Sequence, residues 1–175
     1  GFNDPRGGGH FSGRLTAPMV FAGAVAKQVL AEKGISFCAH IQQIHQVKDL
    51  TFAQVVGTKN ELEDVLDEEI IKTLQEAELP LLDPGCRSAM VKAIMNAKKD
   101  GDSVGGIIEC AVLGLPAGIG EPFFASVEAV LSGLLFSIPG IKGVEFGDGF
   151  ALAECFGSQC NDEYYYEGKK VKTRS

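Results

Sequence analysis

Residues 16–41 read TAPMVFAGAVAKQVLAEKGISFCAHI, and the spacing of their apolar residues changes once along the stretch. Val20, Phe21, Ala24, Val25, Val29 and Leu30 recur at three- and four-residue intervals, which lines one face of a helix. Thr16 is placed to cap that helix. Pro18 is tolerated in a first turn whose N–H groups have no intrahelical partner. Gly34 marks the stop, because a helix commonly ends on a glycine in the left-handed conformation. Ile35, Phe37, Ala39 and Ile41 then alternate, the period of a half-buried strand. A helix leading directly into a strand indicates a mixed α and β domain.

The rest of the chain extends the pattern. An acid-rich helix is expected across Glu61 to Glu78, its crowded carboxylates forming a solvated face. Asp83 before Pro84 is positioned to cap the next helix. Met90, Val91, Ile94 and Met95 should form the buried stripe of that helix, and Lys98 and Lys99 suit the negative end of its dipole. Ser103 to Leu113 reads as a strand. Glu121 and Pro122 open a helix with Phe124, Val127, Val130, Leu131 and Leu134 as its apolar positions. A short strand is expected through Val144 and Phe146. The polar tail from Gly157 reads as a hairpin arm or an end of a longer chain. Segment lengths leave open whether the sheet is parallel.

Bulk properties exclude several function classes. The 175 residues carry 16 Lys plus Arg against 23 Asp plus Glu, a net charge of −7. That balance gives no support to nonspecific nucleic-acid binding, which needs a basic face. Apolar runs are broken well before the ~18 residues a transmembrane helix requires. The five cysteines, Cys38, Cys86, Cys110, Cys155 and Cys160, are odd in number and include no C-x-x-C pair. They therefore read as reduced thiols, several of them in the core, and not as a disulfide scaffold or zinc site.

Against the acidic background, Arg6, His10 and Arg14 fall within nine residues of a Gly-rich loop at a helix start. Glycines let backbone N–H groups approach an anion, the helix N-terminus adds partial positive charge, and Arg adds bidentate recognition. The loop is thus either an anion site or a surface loop with incidental charges, and spacing alone does not choose. His40 and His45, five apart on an expected strand, point to opposite faces and cannot share a metal. Both read as ordinary strand histidines, and no metal ligands are assigned. Asp100, Asp102 and Asp148 lack calcium-loop spacing, and Cys155 has no neighbouring His to activate it.

Several stretches together resemble chorismate synthase. Asp4-Pro-Arg-Gly-Gly-Gly-His-Phe-Ser-Gly-Arg-Leu-Thr16 aligns without gaps on the family's D-Y-R-G-G-G-R-S-S-A-R-E-T, and Gly23 to Lys27 matches its G-A-I-A-K helix. Asp100 to Glu109, Gly114 to Pro122 and Ser137 to Phe150 follow in the family's order, with Gly157-Ser158 and Asn161-Asp162 closing the series. His10 and Phe11 stand where the common form has Arg and Ser, as in a sub-branch carrying H-F-S-G-R-L-T-A-P.

The resemblance implies an α+β fold, a β-α-β sandwich with helices between antiparallel sheets. Residues 1–175 are expected to form a single domain, the central segment of a longer chain. The implied reaction is a 1,4-elimination of phosphate from 5-enolpyruvylshikimate 3-phosphate, giving chorismate, with reduced FMN and no net redox change. It implies a cytoplasmic homotetramer with no nucleic-acid or membrane partner. His10, Phe11 and Ser12 align with the flavin-contacting triplet, while Arg6 and Arg14 are weaker candidates for substrate or anion contact. The family's proton-donating histidines lie in motifs outside these residues, so no catalytic residue is assigned here and no turnover is expected of the isolated segment. The competing expectation is a noncatalytic oligomerisation module using the apolar helix faces at 18–32 and 121–136.

Overall fold

The computed structural model describes residues 8–9, 12–56, 66–161, 163–168 and 170–173. They divide into two compact units. One comprises Ile35–Gly114 with Tyr164–Ser175, and the other comprises Gly1–Gly34 with Leu115–Glu163.

The first unit is built on β1 (Ser36–Ile44), a nine-residue strand at the centre of a three-stranded antiparallel sheet. β2 (Val47–Lys48) pairs with its end, and β3 (Gly106–Leu113) runs along its length. Ser36 lies opposite Leu113, Cys38 opposite Ala111 and His40 opposite Glu109, so these six share one face. That face is the core side. Cys38, Ala111 and Leu113 are buried on it with Phe52, Leu66 and Leu74, and Ile70, Ile71 and Leu82 pack against them. Burial of side chains such as Phe52 and Leu74 stabilises the unit by about 1.5–3 kcal/mol each. The other face of β3 leaves Ile108 and Val112 exposed.

The register shifts between Ile41 and Gln43, and there the backbones come unusually close. A Cβ on Gly106 would stand 2.6 Å from the Gln43 carbonyl oxygen, so only glycine lets β3 begin at this point.

Three helices accompany the sheet: α2 (Phe52–Val56), α3 (Glu68–Glu76) and α4 (Arg87–Lys99). Asp67 caps α3 by accepting the Ile70 N–H at 2.8 Å, and Glu68 and Glu69 in the first turn complement the dipole. The acid-rich helix is therefore shorter than its composition indicates; residues 57–65 lie outside the described set. A 3-10 turn at Pro84–Cys86 precedes α4, with the Asp83 carboxylate accepting the Gly85 N–H. Of the expected stripe on α4 only Met90 is buried, while Val91, Ile94 and Met95 are exposed. The polar tail forms a hairpin of β4 (Tyr164–Glu167) and β5 (Lys170–Thr173), as one of its two readings required.

The second unit contains α1 (Thr16–Ala31) and α5 (Val127–Phe136). Thr16 is the first helical residue of α1 and not its cap, and Ser126 caps α5 through the Ala129 N–H. α5 therefore starts several residues later than Glu121 and Pro122 indicated. Among the described residues of this unit none is buried, and Phe21, Phe124 and Phe150 stand 73%, 96% and 81% exposed. No strand forms at Val144 to Phe146. The segment runs as irregular chain into the 3-10 turn Gly149–Glu154, because nothing pairs with it among the described residues. Helices with antiparallel strands make the protein an α+β fold, as the resemblance implied. No helix among the described residues is long and apolar enough to cross a membrane.

Candidate functional site

The Gly-rich loop enters α1 through two tight steps. Gly8 and Gly9 both take the left-handed conformation, with φ of 66° and 52°. The Ser12 N–H then donates to the Gly9 carbonyl at 3.2 Å, closing a turn. The Ser12 side chain caps a 3-10 turn at Gly13–Leu15, its hydroxyl oxygen accepting the Arg14 N–H at 3.4 Å. Thr16 donates its hydroxyl to the Gly13 carbonyl at 2.7 Å. The residue before α1 is Leu15, which offers no side-chain cap, and the first turn holds no acid. The first N–H of the 16-residue helix, at Thr16, instead donates back to the Gly13 and Arg14 carbonyls, and Pro18 has none to offer, so the 3-10 turn itself closes this end. Arg14 is exposed beside this end. Arg6, His10 and Phe11 lie outside the described residues.

A second polar site was not foreseen. His40 was expected to be an ordinary strand histidine, but its ring is fully buried between two carboxylates. Its Nδ1 lies 3.2 Å from Asp49 Oδ2 and its Nε2 lies 2.8 Å from Glu109 Oε2. Phe52 meets the ring edge-on, with centroids 4.7 Å apart. His45, its supposed strand companion, falls beyond β1 in a turn with φ of 53°.

Counting donors and acceptors fixes where protons sit. Asp49 Oδ1 accepts N–H groups from Leu50 and Asp83, each at 2.8 Å, and Oδ2 accepts from Leu82 at 2.6 Å. With His40 Nδ1 as the fourth contact, two donors face each oxygen, so Asp49 acts only as an acceptor and Nδ1 must carry hydrogen. One further proton is needed between Nε2 and Glu109 Oε2, carried by either partner. Glu109 Oε2 also accepts the Phe52 N–H at 2.9 Å. The three side chains together pin α2 and the Leu82–Asp83 segment to the sheet. Buried polar groups of this kind hold shape when every member is satisfied, and among the described residues no buried side-chain nitrogen or oxygen lacks a partner.

Cys86 borders the same site. Its thiol donates to the Asp83 carbonyl at 3.0 Å, and its pKa is raised first by loss of solvent and then by the Asp49 carboxylate. Among the described residues no cluster of three or more His, Cys, Asp or Glu could hold a metal ion.

The α+β architecture has counterparts among known proteins. The family model described as chorismate synthase matches residues 1–174. Chorismate synthase from Pyrococcus abyssi is 41% identical over 177 residues, covering all of this chain and 45% of that protein. The one from Thermococcus kodakarensis is 42% identical over 175 residues, again all of this chain and 44% of the relative. A crystal structure of chorismate synthase superimposes with a TM-score of 0.79 at 30% identity, over 94% of this chain and 49% of that one. The chain belongs to the chorismate synthase family. It spans about 45% of the length of the curated relatives it matches.

Proposed function

We propose that the protein containing these residues eliminates phosphate from 5-enolpyruvylshikimate 3-phosphate to give chorismate, with reduced FMN bound, as a cytoplasmic homotetramer. The observation that carries this reading is the family match across residues 1–174. In this reading residues 1–175 are one central domain of a longer chain, and the loop before α1 is one wall of the flavin and substrate site.

The described part of the loop suits an anionic cofactor. Two left-handed glycines keep side chains away from the turn, and the Ser12 hydroxyl retains its hydrogen to donate. The positive end of the α1 dipole attracts negative charge. His10 would donate to a flavin or phosphate oxygen, Phe11 would pack or stack against the ring, and Ser12 would fix a polar atom. Bound reduced FMN supplies electron density that no protein side chain offers. The task of these residues is to bind and orient it, while Arg6 and Arg14 stabilise charge on the phosphate as it leaves. The proton donors belong to family motifs outside this segment, so the isolated 175 residues are catalytically incomplete.

The test is an anaerobic assay of the full-length protein with reduced FMN, reading chorismate formation, beside the 175-residue chain alone. Turnover in the first and none in the second is expected, and turnover by the isolated chain would overturn the incompleteness. Ser12→Ala and His10→Ala are expected to weaken FMN binding; unchanged affinity in both removes the loop from the flavin site.

The exposed apolar residues of α1 and α5 favour one alternative, a noncatalytic module that associates with a second copy of itself. Sedimentation of the chain separates the readings: association without any gain of activity in the full-length protein supports the module.

A further inference from the structure

The turn that follows Gly149–Glu154 brings two cysteines together. The Gln159 N–H donates to the Phe156 carbonyl at 2.8 Å, closing a four-residue turn, and the Gln159 side chain accepts the Phe156 N–H at 2.9 Å. The ends of such a turn lie within about 7 Å of each other. Cys155 and Cys160 are the residues immediately outside those ends, so the chain presents them to one another. Cys155 is also the first of the groups that act on the Cys160 thiol. Cys155 is exposed and Cys160 half-buried, both are free, and the Cys155 thiol otherwise reaches only its own 3-10 turn, at the Ala151 carbonyl 3.7 Å away.

We propose that Cys155 and Cys160 are a peroxide-sensitive dithiol that closes to an intramolecular disulfide across the turn 156–159. A disulfide needs Cα atoms about 4.4–6.8 Å apart, a span that the closed turn between the two residues favours. Cys155 is the more exposed sulfur and meets peroxide first, and Cys160, whose proton is held to higher pH first by Cys155 beside it, is left to resolve. The Cys155 thiolate attacks one oxygen of hydrogen peroxide, the O–O bond breaks, and hydroxide leaves with the proton Cys155 gave up, as water. The Cys160 sulfur then attacks the resulting sulfenic acid. The S–S bond forms, the S–O bond breaks, and the second oxygen leaves as water with the Cys160 proton. Two thiols and one peroxide give one disulfide and two waters. The bridged turn holds Gly157-Ser158 and directly precedes Asn161, positions through which the chain resembles its family, so oxidation would stiffen that segment.

Both cysteines fall in one tryptic peptide, Gly143–Lys169, which simplifies the test. The full-length protein is treated with one equivalent of hydrogen peroxide, blocked with N-ethylmaleimide and digested without reductant. The expected result is a peptide two hydrogens lighter with loss of both maleimide adducts, and recovery of both after dithiothreitol. In Cys160→Ser, dimedone labelling of Cys155 should rise several-fold over the parent protein, because the resolving thiol is gone. Undiminished maleimide labelling of both cysteines after peroxide would overturn the proposal. So would disulfides that join either cysteine to Cys110 or to a second chain in place of its partner.

Discussion

Replacing Asp49 with alanine removes the acceptor for four donors at once. The His40 Nδ1–H and the N–H groups of Leu50, Leu82 and Asp83 all lose their partner. Leu50 and Asp83 are exposed residues, so water can replace the carboxylate for them, whereas His40 is fully buried and Leu82 partly so. A stranded buried donor costs about 1–3 kcal/mol, and breaking a buried charged pair by deleting one member costs about 3–5 kcal/mol. A loss of about 3–5 kcal/mol is therefore expected, a large part of the roughly 5–15 kcal/mol that holds a domain together. Asp49→Asn should cost less. Its oxygen still serves two N–H groups, and its amide donates to His40 once the ring shifts its proton to Nε2, where the Glu109 carboxylate accepts it. Only the Leu82 N–H is then left facing a donor. Urea titration followed by far-UV circular dichroism measures both variants against the parent chain. A loss below about 1 kcal/mol for Asp49→Ala, with an unchanged denaturant slope, would refute the reasoning. So would an asparagine variant as damaged as the alanine one.

Other predictions rest on separate contacts. Gly106→Ala places a methyl 2.6 Å from the Gln43 carbonyl oxygen and should cost about 1–3 kcal/mol in the same titration; Gly105→Ala, with open space around its Cβ, should be far milder. The Cys86 thiol should react with iodoacetamide only at higher pH than a free thiol, whose ordinary value is 9.0, and Asp49→Asn should speed the reaction. Because that pKa is raised in the folded state, its contribution to stability is complete below about pH 9 and lost as pH rises through the folded value. Nitrogen-15 spectra of the His40 ring should show hydrogen on Nδ1 at neutral pH. In Glu109→Gln the amide oxygen is expected to keep both the Phe52 N–H and the Nε2–H, with hydrogen still on Nδ1; a ring that loses the hydrogen on Nδ1 would contradict the donor count.

Local signals carried the reading of the fold and faded where distant segments meet. The change of period within residues 16–41 gave α1 and β1, because each depends on neighbours a few residues away. Val144 to Phe146 has the composition of a strand, but a strand needs a partner, and composition cannot supply one. The stripe on α4 was overestimated for a related reason: apolar spacing marks a face able to be buried, and only Met90 meets a covering surface among the described residues. Cys155 and Cys160 escaped a search for two-residue spacing because a four-residue turn, not a helical or zinc-binding step, joins them. In the loop before α1 the glycines were legible as a loop at a helix start, but the cap was read at Thr16 and falls to Ser12 on the preceding 3-10 turn, and the flavin role of His10, Phe11 and Ser12 came from resemblance alone.

The buried cluster was hidden by treating His40 and His45 as equivalents. Two signals were nonetheless present. His40 shares its strand face with Cys38, two residues earlier, and Glu109 interrupts the apolar run from Ile107 to Leu113. A charge on the core face of a strand demands a partner, and each of these residues was the other's.

The facing of His40 and Glu109 also bears on how the chain finds its fold. These residues are 69 apart in sequence, and long-range pairing of this kind is slow to form. Apolar side chains alone tolerate mistakes along the way, since one aliphatic residue packs on a strand much like another. A slip of β3 by one residue would turn the Glu109 carboxylate to the opposite face and leave His40 without its second partner. The charged pair thus works as an address: it rejects neighbouring alignments that greasy contacts would accept, and only the correct one lets Phe52 close over the ring.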